Sequence, residues 1–551
     1  MKLFKVLTLT ASLALSLAGC GGGGGDSSPP APPPPPPPPP ITITKAEAYQ
    51  FLNQATFGAT EAEADRVIAM GYEAWIDDQL AAPISLQEPY LRGLPRPTFL
   101  FEMQPDRVDI WFRNVLFGED QLRQRVAFAL SEVLVVSQLG ALEGSPYGLA
   151  NYYDMLTINA FGNYRDLMQG VTLHPMMGVY LSMLGNEKPN PALNIRPDEN
   201  YARELMQLFS IGLVELNNDG TEVVGMNGLP VPTYDQAVIE GFAHVFTGWT
   251  WFGAATWQSA RQNDNNQSQF MVHFPAFHDT DEKLLLNGVV LPANQTGQQD
   301  LNQALDNVFN HPNVGPFIAI RLIQRLTTSN PSPGYVDRVA SVFNNNGQGV
   351  RGDMEAVVKA ILLDPEARPD LPMEIDGKLK EPLLRVTQLW RAYNATSQSG
   401  RFPLVASYIL FGQGPLQSPS VFNFFSPFYA PPGEIRNSSL VAPELQIATE
   451  YQNTLFTNYM FYQTFSLNQT NNALQPDDVY IDFSEEMAVA DDPDALINMV
   501  ADKLLAGEIS DTLRTEITGM LAQIDPVGNE AIRAAETIYF VVTSPEYAYQ
   551  R

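Results

Sequence analysis

Two stretches of the sequence carry side chains whose types and spacing could do chemistry. From Glu199 to Ile211, with Gly212 as a stop signal, Asn200, Arg203, Glu204 and Gln207 recur at the i, i+3, i+4, i+7 spacing that brings side chains onto one helical face. Asn, Arg and Glu together can orient a carboxylate or sugar hydroxyls, with Glu204 as general base. The same stripe also fits a buried Arg/Glu network that locks neighbouring helices. His244 follows Glu240 by four residues, which puts an imidazole and a carboxylate on one face and allows acid–base work. The candidate catalytic set is therefore Asn200, Arg203, Glu204 and His244. Further on, His273, His278, Asp279 and Asp281 fall within one short run, followed by Lys283. Imidazole and carboxylate donors suit a divalent ion such as zinc, manganese or iron. The spacing is neither His-Glu-x-x-His nor an EF-hand loop, so a surface loop packed by Phe274 and Phe277 stands beside the metal reading. Together these residues predict a central polar cavity in which Arg203, Glu204 and Asn200 meet at least one of His244, His278 or Asp279. No Gly-x-Ser-x-Gly elbow, phosphate loop or dinucleotide glycine pattern is present.

The elements that must position these groups read as helices. Thr44-Lys45-Ala46-Glu47 and Thr60-Glu61-Ala62-Glu63 fit the capping box, and Gly71 ends the second helix. Residues 121 to 137 place Leu122, Val126, Leu130, Val133 and Val136 at helical spacing. Further helices are predicted from Thr233-Tyr234-Asp235-Gln236 onward, over Pro316 to Leu326, Tyr335 to Phe343, and Met354 to Leu363 with Asp353 near the cap. Arg123, Arg125, Arg321 and Arg325 sit on such helices beside apolar stripes, where a guanidinium needs an anionic or carbonyl partner. Strand signals are few: hairpins are predicted near 222 to 231 and 283 to 291, the second around Asn287-Gly288. The predicted class is mainly α, a large multi-helix globular body with small β-hairpins. Trp249 to Phe252, and Phe422 to Tyr429, are dense in aromatic residues, suited to core packing or to stacking on sugar faces.

The N-terminus adds an address. Lys2 and Lys5 precede an apolar run, Val6 to Leu17, too short to span a bilayer, and Leu17-Ala18-Gly19-Cys20 follows. That ending resembles the lipobox of bacterial lipoproteins, which implies cleavage before Cys20 and acylation of its thiol. Gly21 stands where an Asp would imply inner-membrane retention, so the expected location is the cell envelope, at the outer membrane. Residues 20–40 form the lipidated Cys and a Gly/Pro-rich tether, and 41–551 a single large helical body. Cys20 is the only cysteine, which excludes disulfides, thiolate nucleophiles and Cys-ligated metals from the body. The chain holds 61 acidic against 32 basic residues for a net charge of −29, and nucleic acid is a poor partner for such a surface.

Several stretches resemble the bacterial family catalogued as domain of unknown function 1800. They include Phe51-Leu52-Asn53-Gln54-Ala55-Thr56-Phe57-Gly58, Leu122-Arg123-Gln124-Arg125 through Ser131-Glu132, and Glu199-Asn200-Tyr201-Ala202-Arg203-Glu204-Leu205. Downstream come Thr247-Gly248-Trp249, His278-Asp279 with Lys283, Arg351-Gly352-Asp353-Met354, Pro419-Ser420-Val421-Phe422-Asn423-Phe424-Phe425-Ser426-Pro427 and Ser544-Pro545-Glu546-Tyr547. The resemblance implies a large, secreted, mainly helical protein, with a secreted partner of another uncharacterised family, number 1501, and no established reaction. The family often places His after the central Glu-Leu pair, and Phe209 stands there in this chain. Two functions stay open: an envelope-anchored interaction, assembly or glycan-associated protein, or an extracellular hydrolase using a Glu/His/Asp site, with or without a divalent metal as cofactor.

Overall fold

Local capping sets the first helices. In the computed structural model, Thr44 accepts from the Glu47 amide while the Glu47 carboxylate accepts from the Thr44 amide, closing the box that starts Lys45–Ala55. Thr60 caps Glu61–Met70 on one side only, because the Glu63 carboxylate is drawn to Arg66 and the Trp75 indole. The structure describes residues 43–369, 375–466 and 475–550; the expected signal, Cys20 and tether lie outside them.

The described residues are mainly α-helical. Helices Gln236–Val245, Val314–Leu326, Pro333–Asn344 and Met354–Leu363 stand where the sequence predicts them, capped in the first and last cases by Asp235 and Asp353. Three antiparallel two-strand pairs accompany them: Trp249–Thr250 with Val272–His273, Lys283–Leu284 with Val290–Leu291, and Lys378–Leu379 with Tyr549–Gln550. The second is the predicted Asn-Gly hairpin, with Asn287 and Gly288 both at positive φ. Around 222 to 231 the chain pairs only through isolated bridges, Leu216 with Glu222 and Val224 with Pro230.

One buried apolar cluster runs from Ile43 to Tyr547. Helix Gln121–Ser131 lies inside it, buried along its whole length. Its arginines therefore reach carbonyls: Arg123 donates to Leu80 and Thr157, and Arg125 to Arg325. The predicted helix to residue 137 ends six residues early. Ser131 bonds back to the Phe128 carbonyl, and the β-branched Val133, Val135 and Val136 that follow are poor at continuing a helix. Among the described residues no helix is long and apolar enough to cross a membrane.

Candidate functional site

The central motif helix is shorter than its pattern, Asn200–Gln207. Beyond it the turns widen: Ile211 and Gly212 both donate to the Met206 carbonyl, and Gly212 adopts φ +75. A Cβ there would also stand 3.2 Å from the Phe317 ring, so glycine serves the turn and the packing together. This reversal carries Gln207, Leu208, Ile211 and Gly212 to the wall of a cleft of about 600 Å³.

Three other parts of the chain complete that cleft. Helix Val314–Leu326 contributes Phe317, Ile320, Arg321 and Arg325, and the unwound end of Gln121–Ser131 contributes Glu132 and Val133. The Phe-rich loop supplies Val421 to Phe428. Within it Asn423 takes φ +66, a conformation Asn tolerates, and its amide reaches Glu132 Oε1 at 3.3 Å. Phe425 turns inward over the Arg325 guanidinium at 4.6 Å. Phe422 and Phe428 stay 58% and 69% exposed at the mouth. Phe428 lies 4.5 Å from Arg321 and Phe317 4.8 Å from it, so two rings hold that guanidinium between them.

Behind the floor lies a buried charge network. Glu132 Oε1 accepts from Gln413 Nε2 at 3.1 Å, and the same nitrogen donates to Glu381 Oε2 at 2.6 Å. Lys378 contacts Glu381 at 3.3 Å and Glu444 at 3.0 Å, and donates to the Arg325 carbonyl at 2.9 Å. Arg325 Nε sits 3.1 Å from Glu132 Oε2, but too poorly aligned to hydrogen-bond it. Burial first, and the neighbouring Glu381 carboxylate second, push Glu132 up to about 8. Burial would raise Glu381 too, but Lys378, Arg325 and Arg125 outweigh it and bring it down. Burial and the neighbouring carboxylate thus move Glu132 up while three cations hold Glu381 down, so the two carboxyls are driven in opposite directions.

Arg321 has a different balance. Burial, reinforced by Arg325, pushes it down to about 9, so it remains a cation at neutral pH. Its polar contact is Gln324 Oε1 at 3.3 Å, and no carboxylate lies within ion-pair distance of it among the described residues. Its neighbours are therefore two aromatic rings and one amide oxygen.

The sequence-predicted catalytic set does not gather here. Asn200 is exposed, and Arg203 pairs with Glu199 at 3.0 Å, itself bridged to Gln236. Glu204 is buried, with Oε2 unbonded, and burial raises it against the pull of Arg203. His244 turns away to Asp279, Nδ1 to Oδ2 at 2.5 Å. The cleft takes Gln207 and Leu208 from this helix, and not Asn200, Arg203 or Glu204.

The expected metal ligands are spent on one another's neighbours. His278 has both ring nitrogens engaged, Nδ1 with the Thr247 carbonyl at 3.0 Å and Nε2 with Asp300 at 3.0 Å, where Lys283 also bonds at 2.8 Å. Asp279 accepts from His244 and from the Asp281 amide, and although burial opposes it these bonds pull it down to about 2. His273 is packed against Gly297 with Nε2 unbonded, and burial lowers it to about 4. Asp281 is exposed. Among the described residues no group of three or more His, Cys, Asp or Glu is placed to hold a metal ion. The network instead ties helix Gln236–Val245 to helix Gly297–Phe309. It does so at close quarters, since a Cβ at Gly241 would run into the Leu284 carbonyl. Of the aromatic runs, Trp249 and Trp251 are buried, whereas Phe422 and Phe428 are not.

Sequence reasoning missed Glu132, Asn423 and the cleft itself; the signal available was the run of arginines needing partners. A family model described as "Protein of unknown function (DUF1800)" matches residues 50–549. No curated protein and no solved structure matches the chain.

Proposed function

Because the chain belongs to the DUF1800 family, whose description assigns no activity, we propose its function from the cleft: it captures an amphipathic anion, an aryl or alkyl body ending in a carboxylate. The observation that carries this reading is Arg321, a guanidinium beside the Phe317 and Phe428 rings with no carboxylate within ion-pair distance among the described residues, in a cleft whose two acidic lining residues are Glu132 and Glu222. Apolar clefts of this size with a few convergent polar groups are the usual form of small-molecule sites. The exposed Phe422 and Phe428 at the mouth would cover the body of the ligand, and Arg321 would take its charge. A thermal-shift panel tests it: aryl carboxylates should raise the melting temperature and their isosteric amides should not. Equal shifts from both would remove the proposal.

The Leu17-Ala18-Gly19-Cys20 run supports the place where this happens, an exported protein lipid-anchored through Cys20 at the envelope, most simply the outer membrane. A hydrolytic reading has one observation in its favour: Glu132, pushed up by burial beside Glu381, lines the same cleft and would be the group to give a proton to a bound leaving group. Turnover of an ester library that Glu132→Gln abolishes while binding persists would select it.

A further inference from the structure

A second cleft, of about 590 Å³, opens where two motifs from opposite ends of the chain meet. Asn53 comes from the Phe51-Leu52-Asn53-Gln54 run, and Pro545 and Glu546 from Ser544-Pro545-Glu546-Tyr547. Between them lies Lys380, brought there by the pairing of Lys378–Leu379 with Tyr549–Gln550 and by its own amide bond to the Ala548 carbonyl at 2.7 Å.

The environment of Lys380 differs from that of the other lysines in the described residues. Lys45, Lys283, Lys359, Lys378 and Lys503 each meet a carboxylate, Glu61, Asp300, Asp77, Glu381 and Glu485 respectively. Lys188 is exposed to solvent. Lys380 is buried, and among the described residues it has no carboxylate within ion-pair distance. Its Nζ donates to Gln388 Oε1 at 2.5 Å and lies 4.1 Å from the centre of the Tyr547 ring. Its charged neighbour on the packed side is the Arg385 guanidinium, also without an acidic partner; Glu508 and Glu546 stand on the cleft's rim. A buried ammonium with one amide acceptor and a like charge beside it is the arrangement that favours loss of the proton.

We infer that Lys380 is an uncharged, nucleophilic amine that condenses with a small aldehyde or ketone entering this cleft. The Nζ lone pair adds to the carbonyl carbon, the two amine protons leave with the carbonyl oxygen as water, and an imine remains, so the step needs no oxidant or reductant. The acidic rim selects carbonyl compounds that are uncharged or cationic rather than anionic. Burial, with Arg385 adding to it, holds the amine well below the ordinary lysine range, in line with that assignment.

The test is reductive trapping on the full chain with glyceraldehyde and cyanoborohydride at pH 6.5, followed by peptide mapping. At that pH an ordinary lysine is unprotonated in only about one molecule in 10⁴. Adduct at Lys380 should exceed that at Lys188 and Lys45 by at least ~10-fold, and the preference should vanish when the chain is unfolded in urea first. Labelling at Lys380 no greater than at Lys188, whether because the amine is protonated or because the aldehyde cannot reach it, would overturn the proposal. Lys380→Met must keep the wild-type melting temperature within a few degrees if it is to serve as the blank. The wild-type comparison among lysines decides without it.

Discussion

Replacing Glu132 by Gln separates the two halves of the buried carboxyl pair. In the wild type, burial and Glu381 hold Glu132 up to about 8, against 4.5 for an ordinary glutamate. A carboxyl raised in this way stabilises the fold fully below its unfolded value, and that contribution is lost as pH rises towards and through the folded value. At about 1.4 kcal/mol per pH unit, the interval from 4.5 to about 8 sets an upper bound of about 5 kcal/mol, and sharing of the proton with Glu381 lowers it. Gln imitates the protonated acid: its carbonyl can accept from Gln413 and Asn423 as Glu132 Oε1 does, and its amide can donate towards Glu381. Urea unfolding of both proteins from pH 5 to pH 9 measures the difference. The variant should match the wild type within ~1 kcal/mol near pH 5 and exceed it by about 2 kcal/mol or more at pH 9. A difference independent of pH, or one that favours the wild type increasingly as pH rises, would refute the argument.

Asp300→Asn leaves Lys283 and His278 buried without their shared carboxylate, and should destabilise the protein by about 3–5 kcal/mol in the same assay. A loss under ~1 kcal/mol would mean that the network between helices Gln236–Val245 and Gly297–Phe309 is dispensable. At the other end of the chain, globomycin should cause the precursor to accumulate in cells, and Cys20→Ser should abolish acylation; normal processing and membrane attachment of the Ser variant would exclude the lipid anchor.

What the sequence made legible follows from the range of the interactions involved. Thr44 and Asp353 cap helices through amides within three residues, and Asn287-Gly288 turns a hairpin within two, so each is readable in place, whereas the helix that Thr233-Tyr234-Asp235-Gln236 opens takes Asp235 as its cap. Helix Gln121–Ser131 is readable as apolar, but its early end, set by the Ser131 back-bond and the valines after it, is masked by an apolar spacing that stays helical to Val136. The polar stripe Asn200, Arg203, Glu204, Gln207 was real as a pattern, yet Glu199 and Gln236 claim Arg203's side of it and the chain reversal at Gly212 exports Gln207 to the cleft. The histidines near 273–283 form a polar concentration in the sequence. Their partners, Thr247 and Asp300, lie on other elements, and no spacing rule contains that information. Glu132 stood within a motif without any sign of its charge state, which is set by Glu381 across the core. The arginines give the best hint: Arg325 lies beside Glu132, Arg125 donates to a carbonyl, and Arg321 meets two aromatic rings and, among the described residues, no anion.

The anion-capturing cleft is tested most directly by a double-mutant cycle in calorimetry. Biphenyl-4-carboxylate and its isosteric amide would each be titrated into the full chain and into Arg321→Gln at pH 7. If Arg321 takes the ligand's charge, the substitution should weaken the carboxylate by about 1.5–3 kcal/mol and leave the amide within ~0.5 kcal/mol, a coupling energy expected for a charge-assisted hydrogen bond. A coupling energy near zero, with both ligands weakened alike or neither bound, would contradict the account.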